Sequence, residues 1–148
     1  MELLEGRWNP TAAVWEGHAQ GPQHTALSAV ASQSLTTIRW QTPVDLQPQY
    51  SGSNLLIHYG SPSVTAANTV IVPVKTGATG GFEVNAYDGG TGNLHWSRPT
   101  AYQLPPSPGW TPGYGPVLTL AGRYYFPGPG GTVNFIDDPD GAGTVSGS

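Results

Sequence analysis

The segment Pro62-Ser63-Val64-Thr65-Ala66-Ala67-Asn68-Thr69-Val70-Ile71-Val72-Pro73 comes back as Pro116-Val117-Leu118-Thr119-Leu120-Ala121-Gly122-Arg123-Tyr124-Tyr125-Phe126-Pro127. Pro62/Pro116, Thr65/Thr119, Ala67/Ala121 and Pro73/Pro127 keep an offset of 54, and Asn68 is replaced by Gly122, the other residue that tolerates a positive φ. Downstream, Val84-Asn85-Ala86-Tyr87-Asp88 is echoed by Val133-Asn134-Phe135-Ile136-Asp137 at an offset of 49. The offset falls inside one loop, where Lys75 to Gly81 is longer than Gly128 to Gly131. Loop variation over a constant strand pattern marks a surface connection. A third echo joins Trp40-Gln41-Thr42-Pro43 to Trp96-Ser97-Arg98-Pro99 at an offset of 56. A repeat of this length is a unit that buries its apolar face against its neighbours, so the fold has to be built from such units.

Each unit is a run of short strands. The first is expected at 62–66, 69–74, 82–88 and 93–97, and the second at 116–120, 123–127 and 132–137, with a fourth strand missing or degenerate. The units span about 61–98 and 115–148, separated by a long Pro-rich loop that carries Trp110. Upstream, Leu35-Thr36-Thr37-Ile38-Arg39-Trp40 is β-branched and aromatic and reads as a strand stopped at Pro43. Residues 1–34 form an irregular arm with neither helical nor strand period, apart from a poor helical turn over Ala26 to Ser34. Repeats therefore occupy 35–148.

Composition supports an all-β reading. The 21 Gly and 15 Pro residues approach a disordered composition, but 5 Trp, 7 Tyr and 3 Phe with regular Val/Ile/Leu runs supply the apolar surface a disordered chain lacks. Only 9% of residues are charged, Lys75 is the single lysine and the net charge is -4. Without a basic stripe there is nothing to neutralise phosphates, which excludes nucleic-acid binding. No apolar run approaches the roughly 18 residues of a membrane span. The absence of cysteine removes disulfides and thiolate metal sites. Low charge with abundant Gly, Thr and Ser suits a periplasmic or extracellular protein.

The stretch Ala86-Tyr87-Asp88-Gly89-Gly90-Thr91-Gly92-Asn93-Leu94-His95-Trp96 gathers Asp, Thr, His and Trp in one turn. Four-stranded units with this turn resemble the tryptophan-docking repeat of pyrroloquinoline-quinone (PQQ) type β-propellers, whose Ala, Asp, Thr, Gly and Trp positions Ala86, Asp88, Thr91, Gly92 and Trp96 match. The entry segment Gln23 to Ser28 followed by Leu35 to Trp40 is similar to that of the same family, and the resemblance covers roughly residues 15–145. The second copy departs from it, with Phe135 for Ala, Asp140 for Thr and Val145 for Trp, while Asp137 and Gly141 remain.

The resemblance implies antiparallel four-stranded blades of an incomplete propeller, with about two blades present. It looks like an N-terminal fragment whose partners are the remaining blades or further copies of itself. It also implies two functions: a non-catalytic scaffold or binding module without cofactor, or part of a PQQ- and Ca²⁺-dependent alcohol or sugar dehydrogenase. In residue terms, Asp88 is expected to accept hydrogen bonds from the Gly89 to Gly92 turn, and Trp40 and Trp96 to pack between units, with a flat cofactor stacking on either indole as the alternative. Asp137, Asp138 and Asp140 are the one acidic cluster able to offer oxygen ligands to Ca²⁺, with a plain exposed turn as the competing reading. His18, His24, His58 and His95 show no metal-site spacing. His58 and Tyr59 are read as satisfied structural polar groups, with reach into a central opening as the alternative, and no nucleophile elbow, phosphate loop or dinucleotide fingerprint occurs.

Overall fold

The computed structural model describes residues 14–28, 34–56, 60–77, 80–103 and 114–148. Its elements are β1 (Gln49–Ser51), β2 (Asn54–Leu56), β3 (Ser63–Val64), β4 (Thr69–Lys75), β5 (Phe82–Asp88), β6 (Leu94–Thr100), β7 (Val117–Leu118), β8 (Tyr124–Pro127) and β9 (Val133–Ile136), with a short 3₁₀ turn at Pro129–Gly131. They form antiparallel sheets in the orders β1-β2, β3-β4-β5-β6 and β7-β8-β9. The protein is all-β, and each expected repeat unit is one of the two larger sheets.

Local chemistry explains the hairpins. Thr65 and Thr119 do the same work 54 residues apart: the Thr69 and Arg123 N–H groups donate to the two hydroxyls at 3.1 and 3.2 Å, and the Asn68 and Gly122 N–H groups to the two carbonyls. The turn residues Asn68 and Gly122 carry φ of 68° and 86°, the left-handed values that Asn and Gly tolerate. Pro73 sits inside β4 without breaking it. The Lys75 N–H points to the Val44 carbonyl at 2.9 Å, so the donor that Pro73 lacks would face the same edge, between the start of β3 and the Val44–Leu46 segment. Pro99 lies on the outermost strand β6.

One core holds both larger sheets. Ile71, Phe82, Val84, Ala86 and Trp96 from the first meet Leu118, Tyr124, Phe126 and Ile136 from the second. Tyr114 fills the space between, stacked on Phe82 at 4.8 Å with its hydroxyl donating to the Pro127 carbonyl at 3.2 Å. Each such side chain, fully buried, contributes about 1.5–3 kcal/mol, which is what a two-stranded or three-stranded sheet alone cannot gather. On the far face of the first sheet, Trp40 and Thr42 cover Tyr87, the Thr42 hydroxyl donating to the Tyr87 hydroxyl at 3.0 Å. The far face of the second sheet is covered only in part among the described residues: Arg123 and Gly147 lie against Phe135, while Tyr125 and Phe135 pair at 6.0 Å beside exposed Val117 and Val133.

Two expectations are corrected. Residues 35–40 are not a strand: Leu35 and Ile38 are 99% and 78% exposed, and no neighbouring strand pairs with them. β-propensity is a preference for a half-buried pleated surface, and without a partner ladder it produces nothing. The described part of Ala26 to Ser34 is not helical, and residues 29–33 lie outside the described residues. The irregular arm lies against the sheets: Trp15 pairs with Val64 on β3 and the Glu16 carbonyl accepts the Leu118 N–H of β7 at 2.8 Å. The β1-β2 hairpin, in contrast, was not expected. Its two three-residue strands are too short for an alternating pattern, although Ser51-Gly52-Ser53 is a turn signal. The missing fourth strand of the second unit is reduced to one bridge, Phe135 to Gly147.

Candidate functional site

The turn after β5 is built by Asp88. Its carboxylate accepts the Gly90 N–H at 3.0 Å, the Thr91 N–H at 2.7 Å and the Thr91 hydroxyl at 2.8 Å. These bonds, the Thr91 hydroxyl foremost, hold its carboxyl below the ordinary carboxylate value. Gly92, at φ 77°, then lets the chain pass under Trp40, where a Cβ would stand 2.7 Å from the indole. The Trp40 indole N–H donates to the Gly89 carbonyl at 3.0 Å. Residue 40 thus closes on the turn of the following sheet.

Trp96 repeats the arrangement one unit on. Its indole N–H donates to the Pro139 carbonyl at 2.9 Å, and Gly143, at φ 61°, passes so close that a Cβ would stand 2.3 Å from the ring. Between Ala86 and Tyr87 the β5-β6 register slips, pairing Ala86 with Trp96 and Tyr87 with Leu94. The extra residue is His95, which is exposed, while Trp96 turns inward. Arg98, which sequence reasoning passed over, adds to this joint: its Nε donates to the Gly143 carbonyl at 2.8 Å and its Nη2 to the Ala142 carbonyl. The only signal was positional, the echo Trp40-x-Thr42/Trp96-x-Arg98, in which Thr42 also reaches the following unit, through the Tyr87 hydroxyl.

The acidic cluster does not converge. Asp137 pairs with Arg123 at 2.5 Å, Asp138 accepts the Gly141 N–H at 3.1 Å, and Asp140 accepts the Thr65 hydroxyl at 2.5 Å. Among the described residues no three His, Cys, Asp or Glu side chains stand close enough to hold a metal ion. The repeat also shifts here: Asp137 takes the strand position of Asp88, yet Asp138 does its turn-holding work. Pro139, which has no N–H to donate, follows Asp138 directly, and the turn to Gly143 is longer than its counterpart. Arg123 lies 4.4 Å above the Phe135 ring, and its hydrogen bonds, to the Tyr125 hydroxyl first and to Asp137 next, raise its pKa.

Two further places hold polar groups. Lys75 Nζ is fully buried, 3.6 Å from an Asp45 carboxylate that is 4% exposed, and donates to the Gln47 carbonyl. It locks the Val44–Leu46 segment to the end of β4, where the Leu46 N–H donates to the Lys75 carbonyl at 2.8 Å. The second place is a pocket of about 260 Å³ where the arm crosses the beginnings of β3 and β7, lined in part by Glu16, His18, His24, Ser61 and Pro116. His58, Tyr59 and Trp110 lie outside the described residues.

The fold and these joints define an all-β repeat protein of antiparallel sheets keyed to one another by tryptophan. No protein family, curated protein or solved structure matches the chain. Among the motif residues each indole is packed on a turn, and the carboxylates serve separate partners. Among the described residues no helix is long and apolar enough to cross a membrane.

Proposed function

We propose that this chain is a segment of a PQQ-like β-propeller serving as a non-catalytic scaffold or binding module in the periplasm or outside the cell. One observation carries the reading: of the residues of the Ala86 to Trp96 motif that look chemical, all but the exposed His95 are engaged in building turns and tryptophan joints. Asp88 and Thr91 hold a turn, Gly92 admits a tryptophan, and Trp96 is itself buried on the next turn. On this reading the two larger sheets are blades set around an axis, and the remaining blades or further copies cover the far face of β7-β8-β9. Exposed Val117 and Val133 beside Tyr125 and Phe135 support that partner, because an apolar sheet face in water invites association.

The test adds PQQ and Ca²⁺ to the purified protein and follows dye reduction with alcohols and aldoses, with light scattering alongside. The expected result is no stoichiometric cofactor uptake, no turnover, and particles larger than one chain. Stoichiometric uptake with turnover would replace the scaffold reading by the quinoprotein one. A monodisperse monomer would remove the open-face partner.

A further inference from the structure

The arm pocket lies apart from the tryptophan joints, and its construction differs from theirs. One side is held firmly: Trp15 exchanges two hydrogen bonds of 2.8 Å with Val64, and the Glu16 carbonyl receives both the Leu118 N–H and the Ser63 hydroxyl. The two sheets thus meet at Glu16. Immediately beyond, the backbone is forced. Ala19, Gln20, His24 and Ala26 take φ of 52°, 81°, 50° and 54°, four left-handed residues within eight positions and none of them glycine. Such conformations persist only where the surroundings impose them, and they gather at ligand sites.

The polar groups that this loop presents are unemployed. Among the described residues neither the Glu16 carboxylate nor the imidazoles of His18 and His24 make a hydrogen bond or ion pair; the two rings meet edge to face at 5.5 Å. Everywhere else in the described chain the well-placed carboxylates have partners, as Asp45, Asp88, Asp137, Asp138 and Asp140 do. A partly buried carboxylate without a counter-charge favours a cation, and an imidazole nitrogen with a free lone pair is an acceptor for one of the cation's remaining N–H groups. Neither Lys nor Arg lines the pocket, so no fixed positive charge offsets Glu16 for an anion. A metal ion lacks three converging ligands. Pro22 and Pro116 supply an apolar wall.

We propose that this pocket binds a small organic cation, a primary ammonium or guanidinium on a short apolar stem, with the charged head at Glu16 and the stem against the two prolines. Its size sets the scale: about 260 Å³ is below the roughly 300–1,000 Å³ of sites for drug-sized ligands, so the stem is short. The proposal is independent of whether the sheets belong to a scaffold or a quinoprotein.

The experiment is a calorimetric and NMR titration of the whole chain with n-butylammonium and n-butylguanidinium, against n-butanol and butyrate as neutral and anionic matches. The cations are expected to saturate and to shift the ring signals of His18 and His24, with butanol and butyrate at least about tenfold weaker, the factor that one charge-assisted hydrogen bond supplies. Glu16→Gln should weaken the cation by about tenfold with the melting temperature unchanged. Should that variant fail to fold, His24→Ala, on the exposed part of the loop, is expected to lower the affinity about threefold by removing one acceptor. Equal affinity for butanol and butylammonium, unaltered affinity in both variants, or saturation by Zn²⁺ with no response to either organic cation overturns the proposal.

Discussion

Trp40 and Trp96 each give an indole N–H to a turn carbonyl, at 3.0 and 2.9 Å, and each lies on a glycine of positive φ, yet Trp96 keeps 5% of its exposure while Trp40 is only half-buried. The difference lies in what flanks the indole. Trp96 stands on β6, facing Ala86, inside the core shared by the two sheets, and Arg98 and Thr65 tie the same turn down through Gly143 and Asp140. Trp40 follows a stretch without a strand and has Tyr87 on one side only. The same hydrogen bond therefore sits in a dry joint in one case and at a wet edge in the other, and burial sets the strength.

The largest expected effect tests that ranking. Trp96→Ala should cost about 3–5 kcal/mol, the loss typical of a large aromatic removed from a core, and Trp40→Ala about half as much. Urea unfolding followed by tyrosine fluorescence and circular dichroism measures both. Equal losses would mean that the two joints share one depth and that the sheet core adds nothing to the second.

The close approach at Gly143 gives the next test. Gly143→Ala combines an unfavourable φ with a Cβ 2.3 Å from the Trp96 ring, whereas Gly122→Ala has the same class of φ with nothing within 4 Å. The open site should lose about 1–2 kcal/mol, the left-handed penalty for a residue with a Cβ. Gly143→Ala should lose clearly more, and in a Trp96→Ala background its excess over Gly122→Ala should vanish. An excess that survives the double substitution would assign the cost to backbone alone.

How far the sequence disclosed this joint depends on the distance between partners. The hairpins were legible, because Thr65, Asn68, Thr119 and Gly122 act on neighbours a few residues away. β5 at 82–88 was legible for the same reason: its alternation and its Asp-Gly-Gly end are local. The shift from Asp137 to Asp138 was not, because an offset of 49 hides a lengthened turn. Nor was the arm pocket, since Glu16 meets Ser63 and Leu118 only after two sheets have formed. The Lys75–Asp45 pair was beyond reach too: a single lysine in a polar loop announces solvent, and its burial depends on a parallel segment 30 residues upstream.

The shared core supplies a sharper pair. Tyr124 is fully buried and its hydroxyl has no hydrogen-bond partner among the described residues, whereas the Tyr114 hydroxyl reaches Pro127 at 3.2 Å. Tyr124→Phe should leave stability at pH 7 unchanged or raise it, because an unpaired buried hydroxyl already carries a desolvation cost, while Tyr114→Phe should lose about 1 kcal/mol. Burial raises both phenols above the ordinary value of 10.0. Below pH 10 they are neutral whether the chain is folded or not. Above it the unfolded chain ionises while the folded one resists, so stability falls as pH rises, and Tyr124→Phe should make that alkaline fall shallower. An alkaline limb unchanged in that variant would place the titrating group elsewhere.

The smallest effect belongs to the exposed side of the first joint. The Asp88 carboxyl is held below its ordinary value of 3.8, chiefly by the Thr91 hydroxyl and N–H. A depressed folded value means that the contribution is complete above the unfolded value and disappears as pH falls through the folded one. Acid unfolding of the parent protein should therefore steepen below about pH 4, and Asp88→Asn should flatten that limb. Thr91→Val should flatten it partly, by removing the hydroxyl donor and leaving the N–H bond. Because Trp40 rests on this turn, the same two variants should loosen the first joint and leave the second alone: Trp40 emission should shift red while Trp96 stays shielded. A parallel red shift of both indoles would show that the joints communicate through β5 and β6, and the comparison between a wet and a dry joint would then describe one cooperative unit.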